Sequence, residues 1–316
     1  GSRLSIPLIG RNTESFARAA KKIIIDIDIH ELEKSTLNPD IAICQSADHF
    51  IKELLGGLSG FDQDYSTWIK QCQVLASNFS IVSEDYQHNT KINPYLFIHQ
   101  FSEHLQEDEI IVYDGGSIMN YVMQSFQLKR GQRLICSTGL ELPGFAVPGA
   151  IGVSQWSNNK SIYCLCEGQG MQLSMPELQT IATYQLPIKI LTFRSQGNAT
   201  IRKIQKDFFG SRYVGTDNEI LFGCPATEEI ANVFGIPVIE IKNPDKIADG
   251  LQEFISQKRP VICEIKVDSD QELNPRMGFT IKDDGKWLAK PLEDMYPFLD
   301  RDVLKNAMCI ELWEED

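Results

Sequence analysis

Residues 161–210, SIYCLCEGQGMQLSMPELQTIATYQLPIKILTFRSQGNATIRKIQKDFFG, decide the fold. A short apolar run, Ile162–Cys166, enters a glycine-containing turn; a helix-forming segment follows, then a second apolar run, Ile188–Phe193. Such a β-turn-α-β unit places ligands at the carboxyl ends of parallel strands. Around it, residues 93–270 alternate strand and helix signals, which predicts an α/β fold with a doubly wound parallel sheet. Residues 1–60 read as about half of a Rossmann-like domain. Within them Lys22–Ile27 is a nearly continuous apolar run, the pattern of a buried parallel strand. Residues 61–92 read as polar linker and helix. Residues 271–316 mix charge with Gly285 and Pro291 and read as an irregular tail packing on the sheet.

Bulk properties narrow the functional classes. A chain of 316 residues with 42% hydrophobic content buries a substantial core in one or two domains. No run reaches the ~18–20 apolar residues needed to span a membrane, and a cytoplasmic setting is expected. The formal net charge of −13, from 43 acidic and 30 basic residues, repels phosphate backbones. No basic stripe with interleaved aromatics offsets it, so nucleic acid is not an expected partner. The same field opposes a bare diphosphate, and a phosphate site here needs local donors or a cation. Eight scattered cysteines (44, 72, 136, 164, 166, 224, 263, 309) read as buried reduced thiols without zinc spacing. Five histidines (30, 49, 88, 99, 104) show no ligand pattern, and His99 reads as a helix-surface or capping residue.

The 161–210 stretch resembles the cofactor segment of thiamin diphosphate (ThDP) enzymes of the acetolactate synthase-like family. Further blocks extend the likeness. IIIDIDIHELEKSTLNPDIAI (23–43) is similar to the family's middle domain, and PYLFIHQFSEHLQEDEIIVYDGGS (94–117) to the entry into its diphosphate-binding domain. STGLELPGFAVPGAIGVS (137–154) is similar to its glycine-rich turn and helix, and 234–268 to its last helix-strand pair. PLEDMYPFLDRD (291–302) is similar to the tail of a subgroup found with surface-sugar genes. The resemblance implies a ThDP-binding fold over 93–270, preceded by a partial middle domain. Nothing in the sequence resembles the family's pyrimidine-binding domain, which carries the glutamate that activates the cofactor.

The resemblance also marks the candidate site and its departures. Where the family writes G-D-G-S and N-N, this chain has Glu167-Gly168-Gln169-Gly170 and Arg194-Ser195. The family's metal aspartate falls on Gly168 and its metal asparagine on Ser195. Glycine offers no side-chain ligand and serine a poor one for an octahedral Mg²⁺. Glu167 lies one step along the strand and therefore faces the other side. Arg194 has two readings: a salt bridge to Glu167 across neighbouring strand ends, or a metal-free anion site. Gly115, Gly116 and Ser117, after Asp114, face the diphosphate if the family fold holds. So do Leu142 and Pro143 in the 138–144 turn, and Gly197 and Asn198 beyond the second strand. Pro143 stands where the family often has an apolar methionine supporting the bent cofactor.

These residues imply weak ThDP binding and loss of Mg²⁺. The expected protein is a non-catalytic or partner-dependent subunit. Two alternatives stand beside it. One is the working half of a 2-oxo acid decarboxylase or carboligase completed by a separate pyrimidine domain; the other is a metal-free binder of an anionic metabolite. An uncovered apolar face around 139–150 is expected to support a homo-oligomer or a pyrimidine-domain partner.

Overall fold

The computed structural model describes every residue except 84, 85, 87, 88, 158, 159, 195–198, 217–224, 269, 270, 284 and 314–316. The chain divides into two compact units, one formed by 1–80 with 274–316 and the other by 81–273.

The first unit opens with α1 (Ile6–Ile9), β1 (Ile23–Asp26), α2 (Ile29–Leu32), β2 (Ile41–Cys44), α3 (Ala47–Gly57) and α4 (Ser66–Asn78). β1 and β2 pair in parallel, with Ile23 opposite Ile41 and Asp26 opposite Cys44. The apolar 22–27 run thus forms the strand its composition predicts. It is not covered on both faces, however. Ile23 is 53% exposed and Ile27 73%. α3 and α4 carry amphipathic sequence yet bury no residue.

In the second unit the order is α5 (Pro94–His104), β3 (Ile110–Tyr113), α6 (Ser117–Ser125), β4 (Arg133–Ile135), α7 (Ala146–Trp156), β5 (Ile162–Glu167), α8 (Gly168–Leu173), α9 (Glu177–Tyr184), β6 (Ile188–Arg194), α10 (Ala199–Phe208), α11 (Thr227–Phe234), β7 (Val238–Ile241), α12 (Ile247–Ser256) and β8 (Val261–Lys266). Its strands form one six-stranded sheet in the order β4-β3-β5-β6-β8-β7, and every pairing is parallel. Alternation along the strands sends odd-numbered residues to one face and even-numbered ones to the other. Tyr163, Leu165, Leu191, Phe193, Cys263 and Ile265 meet α5, α6 and α12 on the first face. Ile162, Cys164, Cys166, Ile188, Ile190 and Ile262 meet α7, α8, α9 and α11 on the second. This is the three-layer, doubly wound arrangement the alternating sequence predicts. Chain order reverses between β3 and β5, which creates a crevice at their carboxyl ends.

The closing segment supplies β9 (Phe279–Ile281), β10 (Trp287–Ala289) and α13 (Arg301–Ala307). Its sequence suggests an irregular tail on the sheet; instead it gathers with the first eighty residues and forms an antiparallel hairpin of its own. Specific side chains make that attachment. Arg18 donates to the Glu293 carboxylate (2.5 Å) and to the Glu311 carbonyl (2.6 Å), and Asn12 donates to the Ala289 carbonyl.

Cysteine placement departs from expectation in part. Cys164, Cys166 and Cys263 are buried and Cys136 is half-buried, but Cys44, Cys72 and Cys309 are exposed. The three exposed thiols all lie in the first unit, whose strands and helices bury little. Cys224 and His88 lie outside the described residues. Among the described residues no helix is long and apolar enough to cross a membrane.

Phe193 sits at the centre of the first face, edge-on to Phe97 at 5.5 Å between ring centroids. Phe193→Ala should cost about 3–5 kcal/mol in a denaturant titration. Leu140→Ala, at a residue 82% exposed, should stay within about 0.5 kcal/mol.

Candidate functional site

The crevice at the β3 and β5 ends is built from three chain segments held close by glycines. Gly115 lies so near the 138–144 turn that a Cβ there would fall 2.2 Å from the backbone of Glu141. Gly144 takes a left-handed φ of +83°, with its missing Cβ directed at Leu173. A Cβ on Gly170 would stand 2.0 Å from Asp114 Oδ2. Hence Gly115, Gly116, Ser117, Gly168, Gln169 and Gly170 gather at the two strand ends, with the turn bearing Leu142 and Pro143 beside them. Leu142 and Pro143 are exposed.

Two carboxylates organise this crevice, each ending one strand and capping a helix associated with the other. Asp114 follows β3, and its amide extends the ladder by donating to the Leu165 carbonyl at 3.0 Å. Its even number sends the side chain to the α7 face, where Oδ1 accepts from the Ala146 amide at 2.7 Å. The residue before α7, Phe145, has no capping group of its own, so Asp114 supplies one. Asp114 is 1% exposed. Burial pushes its carboxyl from an ordinary 3.8 up to about 6, against the amides of Ala146, Gly144 and Phe145, which hold it down.

Glu167 ends β5 on the opposite face, in register with Phe193. Its carboxylate lies beside the Ser117 hydroxyl and the amides of Ile118 and Ser117 at the start of α6, donors that hold its pKa down. The N-cap of α6 is Gly116, at φ +84°, which again provides no side chain. A Cβ on Gly116 would lie 3.9 Å from Glu167 Oε1, which places the carboxylate over this turn. Burial raises the Glu167 carboxyl most, the α6 donors lower it, and the charge of Asp114 raises it further.

The salt bridge read from sequence, Arg194 to Glu167, is not formed. Arg194 Nη1 instead meets Glu264 Oε2 at 3.3 Å. The cause is strand geometry. Glu167 is opposite Phe193, so Arg194 faces away from it, toward Thr192 and the β8 residue opposite Thr192, Glu264. The Glu264 side chain is 3% exposed while that of Arg194 is 46% exposed. Removing the arginine would strand a buried carboxylate. Glu264 is the partner that sequence reasoning missed. A lone carboxylate inside the apolar run Val261–Lys266 was the available signal, but choosing its partner required knowing that β8 lies next to β6.

At the place of the family's metal aspartate, Gly168 has open space: a Cβ there meets nothing within 4 Å. Among the described residues no cluster of three His, Cys, Asp or Glu side chains could hold a metal ion. Ser195, Gly197 and Asn198 lie outside the described residues. The carboxylate nearest in sequence, Glu167, is turned onto α6.

Residues 114–265 match the family described as the thiamine pyrophosphate enzyme C-terminal TPP binding domain. The six-stranded parallel sheet has the doubly wound ThDP-binding fold. Among curated proteins the likeness is to acetolactate synthase large subunits. That of Pyropia yezoensis is 26% identical over 279 residues, and that of Lactococcus lactis subsp. lactis 27% over 275. Each alignment takes in 87% of this chain and 46% of the relative. A probable large subunit from Methanocaldococcus jannaschii is 28% identical over 281 residues, covering 86% of this chain and 46% of its own length. The chain is thus similar to acetolactate synthase large subunits and spans about half the length of these relatives.

Two measurements test the site's construction. Gly115→Ala should destabilise the second unit by about 2–3 kcal/mol, because rigid backbone opposes the added carbon. Gly168→Ala should be close to neutral by the same denaturant titration. For Asp114, the folded state holds its proton more tightly than the unfolded chain does. Stability should therefore fall as pH rises from about 4 to about 6, by up to about 3 kcal/mol from this group. Asp114→Asn should remove that component, so the wild type's stability relative to the variant should decline across this window and level off above pH 7.

Proposed function

We propose that this chain is a ThDP-fold subunit whose own metal and diphosphate site is degenerate, and that it acts as a non-catalytic or partner-dependent component. One observation carries the reading. At the β5 end the metal-aspartate position is a glycine, and the adjacent carboxylate is spent on the α6 terminus. Mg²⁺ needs a carboxylate directed at its octahedron in addition to phosphate oxygens. ThDP, when bound in such folds, supplies the carbanion chemistry. Here the chain's residues would contribute only the crevice and the 138–144 turn.

A second reading, the half-enzyme completed by a pyrimidine-domain partner, is supported by the retained crevice and by Leu140 and Leu142, 82% and 51% exposed beside it. A self-association or partner surface there fits the same residues. The metal-free anion binder loses its main support, since Arg194 is engaged by Glu264. Assignment to the surface-sugar subgroup rests on residues 291–302 alone.

Calorimetry with ThDP tests the proposal. The purified chain should show weak binding that does not change when Mg²⁺ is removed by EDTA, and it should not decarboxylate pyruvate above a heat-killed control. Micromolar binding abolished by EDTA would contradict the degenerate site. Turnover appearing only with an added pyrimidine-domain protein would select the half-enzyme.

A further inference from the structure

We propose that Glu167 is an internal anion that fills the phosphate-binding position of this crevice, so that the site is closed by the chain itself. The inference rests on the degenerate-site reading and goes beyond it by naming what occupies the place.

The α6 terminus is built as an open anion cradle. Its N-cap is a glycine at φ +84°, which contributes no capping side chain. The Ser117 and Ile118 amides and the Ser117 hydroxyl lie beside one carboxylate, that of Glu167, whose Oε1 would stand 3.9 Å from a Cβ on Gly116. A helix start of this kind stabilises negative charge through its exposed N–H groups and its dipole. A purely local cap would come from a Ser, Thr, Asp or Asn at position 116 itself. The occupant instead arrives from the neighbouring strand, 51 positions later in the chain, at the place where the family resemblance has a glycine. Register explains how it reaches: Glu167 and Phe193 share the face on which α6 packs. Asp114, at the adjacent strand end, adds a second negative charge against any entering anion. A phosphate group would have to displace a tethered carboxylate whose effective concentration is high, and it would gain no metal in return.

The test uses the full chain and inorganic pyrophosphate as probe, followed by calorimetry and by the amide resonances of Ser117 and Ile118. The wild type should show no saturation in the millimolar range. Glu167→Gly should bind at least 10-fold more tightly and shift those two resonances. Adding Gly168→Asp to Glu167→Gly should make the binding Mg²⁺-dependent, whereas Gly168→Asp alone, with Glu167 still seated, should not. A thermal melt establishes that each variant is folded. If Glu167→Gly is unfolded, Glu167→Gln carries the test, because it keeps the side chain's bulk but not its charge. A gain of about threefold then supports the proposal, and no gain overturns it. Equal pyrophosphate affinity in wild type and folded Glu167→Gly overturns the internal anion while leaving the degenerate-site reading intact. Tight Mg²⁺-dependent ThDP binding by the wild type would sink that reading instead.

Discussion

Reciprocal capping at the β3–β5 switch point is the constraint on which the second unit depends. Asp114 leaves β3 and caps α7, which leads into β5; Glu167 leaves β5 and caps α6, which follows β3. Neither helix starts with a capping side chain of its own, because the residues in those places are Phe145 and Gly116. A helix N-terminus left unsatisfied in a buried crevice is costly, and a cap is worth about 0.5–2 kcal/mol. Two caps that cross between adjacent strands tie the two faces of the sheet to one another. They also require the close approaches at Gly115 and Gly170, where a side chain would overlap Glu141 or Asp114.

The same arrangement limits what the crevice can do. A doubly wound sheet offers its ligand place where strand order reverses, and the donors there are helix N-termini. In this chain the α6 and α7 termini each face a carboxylate. Cationic help is directed elsewhere, since Arg194 pairs with Glu264 on the sheet face opposite Glu167. The likeness to acetolactate synthase large subunits lies in the scaffold; the proposed loss of the metal–diphosphate site rests on the Glu167 carboxylate at the start of α6.

Much of the scaffold is legible in the sequence. Ile162–Cys166 and Ile188–Phe193 are runs long enough for a strand and too short for a helix, and the structure extends each by one residue. The turn glycines at 115, 144 and 170 mark the crevice because backbone approaches there. What the sequence did not disclose depends on neighbours distant in the chain. Pairing Arg194 with Glu264 requires β8 beside β6, an arrangement that a separation of 70 positions does not specify locally. The orientation of Glu167 follows from alternation, but its α6 partner requires the β3–β5 pairing. In the first unit, the 22–27 run shows the strand and not its exposure, because burial depends on what packs on the faces of β1.

The most direct measurement is a crystal structure of the chain grown at neutral pH with millimolar ThDP and Mg²⁺. The account predicts the Glu167 carboxylate on the Ser117 and Ile118 amides, with no diphosphate at the start of α6. A diphosphate seated on those amides, with Glu167 swung away from them, would contradict it.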